Sequence, residues 1–165
     1  MNTARWPQAI ATITGMSEAH SRHVLRRLRE ASLIPVGHNP PPFTGTQIAR
    51  VLIGLCLDHL PTLAAEVTAL EAAPSRTVPV YGTPTAGSAL AGIVDGLNHA
   101  RVRAIGAIEL NRSWKDITLH SFDDDGLPVV QRYGSGDTQR FGQATATTVL
   151  PLQAVQSIAR LLSRR

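Results

Sequence analysis

The 165-residue chain has a single cysteine, a single lysine and only 4% aromatic residues. Cys56 alone excludes an intrachain disulfide and a zinc site built from cysteines. The longest apolar run, Val51–Leu57, is far short of the ~20 residues that a membrane-spanning helix needs, so no membrane association is expected. The opening residues lack the basic, apolar and small-residue order of a secretory signal, and a cytoplasmic setting is expected. Hydrophobic residues make up 43% of the chain, which is the composition of a folded domain rather than a disordered one.

Charge is present, and it is uneven. The formal net charge is +4, and all cations except Lys115 are arginine, a bias that fits phosphate recognition and a GC-rich genome equally well. Residues 1–50 carry six arginines against two glutamates, a net of +4, whereas residues 51–100 are net acidic. The positive excess at the front is the footprint to seek when nucleic acid is a candidate partner.

Trp6–Thr14 reads as a short helix with Pro7 in its first turn, where proline loses only a donor that had no partner, and Gly15 ends it. Ser17 is a good N-cap for a second helix running from Glu18 to about Ala31, with Val24, Leu25 and Leu28 on one face. Arg22, Arg26 and Arg29 fall on the other face with His23 and Arg27 flanking, so the polar side reads as almost wholly cationic. The prolines of 36–42 make a stiff loop that cannot be helical. Phe43, Thr44 and Gln47 have the spacing of a staple residue and a capping box opening a third helix over about 45–57, with Ile48, Val51, Leu52 and Leu55 inward. A helix over 62–73 and a proline-rich linker over 74–85 follow. Beyond a weakly helical 86–100, the period changes to short strands near 108–110, 117–119, 129–133 and 145–150. A last helix, 152–162, carries Leu152, Val155, Ala159 and Leu162 at a heptad-like spacing that suggests a dimer contact.

Gly15-Met16-Ser17 followed by Val24–Pro35 (VLRRLREASLIP) is the most specific signal, because a helix-turn-helix needs a small residue in its turn and a capped second helix with one apolar face. This segment resembles the recognition helix of bacterial winged-helix regulators, where glycine is usual at the place of Ser32 and a β-branched apolar residue at the place of Ser21. The continuation through a Gly/Pro loop to Phe43-Thr44 and a helix with Ile48, Ala49 and Leu52 is similar to the MerR-like branch, which also includes phage proteins. The resemblance covers about residues 6–57. It implies a winged helix-turn-helix over 1–60; with the helix and linker over 61–85, and the small antiparallel sheet plus helix that the period gives over 86–165 for self-association or partner binding, an α+β chain is expected.

The implied function is sequence-specific binding of double-stranded DNA by a homodimer or higher homo-oligomer, most simply a transcriptional regulator. Candidate DNA contacts are Ser17, Glu18, His20, Ser21, Arg22, His23, Arg26, Arg27, Arg29, His38 and Asn39. Arg22 and Arg26 suit phosphates or the O6 and N7 of guanine. A phage terminase small-subunit-like packaging protein, and an interaction protein with no nucleic-acid ligand, are the alternatives.

Other motifs yield to plainer readings. His20 and His23 lack further metal ligands at the zincin spacing, Asp123–Gly126 reads as a turn rather than a calcium loop, and Gly134–Gly136 lacks the lysine of a phosphate loop. Gly87-Ser88 is not a nucleophile elbow, and Trp114 reads as a sheet-closing tryptophan. No catalysis, cofactor or metal is expected.

Overall fold

The computed structural model describes residues 5–37, 40–76, 83–98, 105–111, 116–122, 127–134 and 147–163. Helices come first: α1 (Trp6–Thr14), α2 (Glu18–Glu30), α3 (Gly45–Leu55), a short 3-10 turn (Leu60–Thr62), α4 (Leu63–Glu71) and α5 (Ala86–Asn98). Strands β1 (Ile105–Asn111), β2 (Asp116–Phe122), β3 (Pro128–Tyr133) and β4 (Thr147–Pro151) then lead into α6 (Leu152–Ser163). The fold is α+β, with four antiparallel strands in the order β3-β2-β1-β4.

Each helix of the front segment starts and stops where local chemistry dictates. Gly15 takes φ +74°, a left-handed conformation that costs a residue without Cβ nothing, and its N–H closes α1 on the Ala11 carbonyl. Ser17 caps α2 by accepting from the His20 N–H at 3.1 Å. Thr44 and Gln47 form the expected reciprocal capping box at the start of α3, with bonds of 2.9 and 3.3 Å. The exit of α2 is a complete Schellman turn: the Leu33 N–H reaches the Leu28 carbonyl and the Ser32 N–H the Arg29 carbonyl, both at 2.9 Å. Ser32 itself adopts φ +57° there.

Val24, Leu25 and Leu28 of α2 are buried where that helix packs on α1, α3 and α4, and Ile48, Val51, Leu52 and Leu55 of α3 are buried where it packs on α2, α4, α5 and α6. Gly54 lies at the α2–α3 crossing, where an added Cβ would stand 3.0 Å from Val24 Cγ1. Bulk at position 54 pushes directly against the helix that carries the arginines.

In the sheet, alternate residues face the helices. Ile108 sits opposite both Leu119 and Leu150, and Leu110 opposite Ile117, all of them buried. Their neighbours Glu109, Thr118, Val130, Arg132 and Val149 turn to the other, open face. Helix α6 lies on β1 and β4 and also meets α1, α3 and α5. A single hydrophobic cluster therefore runs from Trp6 in α1 to Leu162 in α6, joining segments 1–60 and 86–165.

Two expectations change. Val155, Ala159 and Leu162 of α6 are buried within the chain, so that stripe packs the chain's own core and is not free to serve as a coiled-coil seam. Between α2 and α3 the described residues, 31–37 and 40–44, form no strand, so no β-wing is present among them. Consecutive prolines, which cannot donate to a ladder, account for that. The described ends of the expected linker are anchored: Pro74 bridges to Thr85 and Ser75 to Tyr133, while Arg76 Nη1 donates to Asp116 Oδ2 at 3.2 Å. Residues 77–82, Trp114, Asp123–Gly126 and Ser135–Gly136 lie outside the described residues.

Candidate nucleic-acid interface

Helix α2 has two unlike sides. Its apolar side is fixed in the core, and its N-terminal half is held further by His20, whose ring Nε2 lies 3.0 Å from the Leu55 carbonyl at the end of α3. A carbonyl can only accept, so Nε2 donates. His20 is therefore turned inward, and it braces the helix rather than facing outward with its neighbours. Ser21 is also withdrawn from the candidate contacts. It has no exposed surface, and its hydroxyl donates to the Ser17 carbonyl at 3.3 Å. Its full burial makes this a position that an apolar side chain would also suit.

The outward side is a single ridge of four residues at helical spacing, Glu18, Arg22, Arg26 and Glu30. The two arginines at its centre are well exposed, Arg22 with 65% and Arg26 with 55% of its side chain accessible. The acids close both ends. Arg22 Nη2 pairs with Glu18, Arg26 Nε stands 3.6 Å from Glu30, and Arg27 Nη1 donates to Glu30 at 3.1 Å. His23 is exposed beside the ridge. The polar side of α2 is thus mixed in sign and only slightly cationic, which corrects the expectation of an almost wholly cationic face. The i,i+4 and i,i+3 spacings of Glu18 and Glu30 from these arginines already carry that mixture of sign in the sequence.

Arg29 leaves the ridge. Its guanidinium carbon lies 5.9 Å from the centre of the Trp6 ring, in cation–π range, and Trp6 in turn meets Phe43 edge-on with centroids 5.2 Å apart. Burial pulls the Arg29 guanidinium down from the ordinary arginine value, yet an arginine remains charged throughout the physiological range. Arg50, the last arginine of the basic front segment, is committed elsewhere, to Glu71 at 2.9 Å and the Leu33 carbonyl at 3.0 Å. The front segment's positive excess is therefore divided among the ridge, the Trp6 corner and the α3–α4 junction. His38 and Asn39 lie outside the described residues.

Among the described residues no cluster of histidine, cysteine, aspartate or glutamate could hold a metal ion, and no helix is long and apolar enough to cross a membrane. Comparison with protein-family models, curated proteins and solved structures finds no match to this chain.

Proposed function

We propose that the protein binds double-stranded DNA, laying the outer side of α2 in the major groove and acting as a sequence-specific transcriptional regulator. One observation carries the reading. A tight Gly15 turn joins α1 to a Ser17-capped α2 whose inner side is fully buried on α1, α3 and α4, so its outer side presents Arg22, His23, Arg26 and Arg27 on a rigid support. Ser17 and Glu18 stand at the leading end of the helix, where a groove-bound helix comes nearest to base edges.

The glutamates of the ridge do not decide against this. Exposed ion pairs of this kind are worth roughly 0–1 kcal/mol and are screened by salt. Each phosphate neutralised instead releases a condensed counterion and contributes a slope of about −0.9 in log K against log salt. A duplex can draw Arg22 and Arg26 off their glutamates at small cost. One helix reads only a few base pairs, so two copies on a two-fold site are the expected binding form.

The capped ridge does favour a second reading, that of a solvated surface on a protein whose partner is another protein. Fluorescence anisotropy with a random-sequence duplex at two salt concentrations, together with light-scattering mass, separates the possibilities. The DNA reading requires binding that weakens steeply with salt and falls at least several-fold in Arg22→Ala and Arg26→Ala. A dimer mass fits the regulator, and a large ring fits a packaging subunit. No binding at low salt, or affinity unchanged in both variants, leaves the solvated-surface reading standing.

A further inference from the structure

Three donors crowd the foot of α1 without an acceptor. Trp6 is 4% exposed and its indole Nε1 is buried with no hydrogen-bond partner. The Nε and Nη2 atoms of Arg29, which together form one edge of the guanidinium fork, are likewise buried and unpartnered. A buried donor left unpaired costs about 1–3 kcal/mol, and buried polar groups are nearly always satisfied, so such a concentration calls for an explanation.

The surroundings share one sign. Helix α1 begins at Trp6, its first-turn N–H groups have no intrahelical acceptor, and neither a side-chain cap nor an acidic residue in that turn supplies one. Arg5 is exposed at the same end. Arg22, Arg26 and Arg27 each meet a glutamate, but Arg29, on the same helix, has no ion pair among the described residues. Glu30, its neighbour in sequence, is engaged by Arg26 and Arg27.

We propose that Arg29 and Trp6, at the start of α1, form a seat for a phosphodiester group of duplex DNA. The fork of Arg29 takes two phosphate oxygens side by side, the pairing for which a planar guanidinium is suited and an ammonium is not. The positive end of α1 adds first-turn N–H groups that fix the strand's position without reading its sequence. In the free protein the Trp6 ring holds the guanidinium in its half-buried rest position, and Arg29 reaches the strand by rotating its own flexible side chain off that ring. Arg26 stands three residues away, one turn back along α2, so a single backbone that passes the seat also passes the ridge. This seat rests on the DNA-binding reading and extends it from the groove-facing ridge to the flanking strand.

The test uses the full chain with Trp114→Phe, which leaves Trp6 as the only tryptophan, titrated with a random-sequence 20-base-pair duplex over a range of salt. The expected result is a change in Trp6 emission on binding. Arg29→Gln is then expected to lower affinity about tenfold near 50 mM salt and flatten the log K against log salt slope by about one. Arg29→Lys keeps the charge and is expected to retain the slope while losing affinity and the Trp6 response, and it decides the matter should Arg29→Gln fail to fold. If Arg29→Gln binds with wild-type affinity and slope while Arg22→Ala weakens binding, the seat is wrong and the DNA reading survives. If Arg29→Lys is indistinguishable from wild type, the seat is overturned likewise. If the parent chain binds no duplex, both fall together.

Discussion

The His20 ring nitrogen Nε2 lies 3.0 Å from the carbonyl oxygen of Leu55, joining the first turn of α2 to the last turn of α3. That carbonyl belongs to a helix terminus, where acceptors lack intrahelical partners, so the bond satisfies a group that would otherwise need water. His20→Ala is expected to cost about 1 kcal/mol in a urea unfolding series. Because His20 faces inward, the variant at a temperature where it is folded is expected to keep most of the DNA affinity. A loss of affinity as large as that of Arg22→Ala would place His20 in the interface instead.

Ser32 occupies the left-handed position of the Schellman turn after α2, at φ +57°. A side chain there meets the backbone sterically, which is why glycine is favoured at such sites. Ser32→Gly is expected to raise stability by about 0.5–1 kcal/mol, and Ser32→Val to lower it, both read from urea midpoints at unchanged m. The ordering Gly, Ser, Val is the check, and a less stable glycine variant would show that the serine makes a compensating contact.

These two sites illustrate what sequence could and could not convey. The helices at 6–14 and 18–30, the capping box at Thr44 and the four-strand sheet were legible because they depend on local spacing, turn residues and period. The left-handed turn at Ser32 was not legible, because serine carries no signal for a positive φ. The inward turn of His20, the burial of Ser21 and the displacement of Arg29 onto Trp6 depend on α1 and α3 arriving from elsewhere in the chain. A helical wheel places Arg29 among the cations of one face, and only the tertiary contact with Trp6 removes it. The heptad-like spacing in α6 misled for the same reason, since a stripe of Val155, Ala159 and Leu162 has one appearance whether it meets another chain or its own sheet.

Asp116 offers a pH test of the packing that fixes β2. Its Oδ2 accepts from Arg76 at 3.2 Å, its Oδ1 is buried without a donor, and Gly134 packs so closely that a side chain there would collide with it. Burial raises the carboxyl above the ordinary aspartate range, and the positive charges of Arg76 and Arg132 only partly oppose this. The folded state then holds the proton more tightly than the unfolded chain, so the contribution to stability is full at low pH and is lost as pH rises through the raised value. Relative to Asp116→Asn, which stays neutral and can still accept from Arg76, the wild type is expected to lose stability as pH climbs above about 4. A wild type that instead gains on the variant over that range would show that the Arg76 pair outweighs the burial.

Glu18 and Glu30 set a sharper condition on the interface than the arginines do. They close the ridge at both ends, hold Arg22, Arg26 and Arg27, and would stand near phosphates if α2 enters a groove. Under the DNA reading they oppose binding twice, through their own repulsion from the strand and by occupying the cations. Glu18→Gln and Glu30→Gln are therefore each expected to raise duplex affinity a few-fold at low salt, with the gain shrinking as salt screens the removed charge. Under the solvated-surface reading the same substitutions change helix stability by about 0.3–0.5 kcal/mol and do nothing to nucleic acid. Affinity measured by anisotropy at two salt concentrations, beside thermal melts of the same samples, distinguishes a ridge whose arginines are held back by their partners from one that merely keeps the helix solvated.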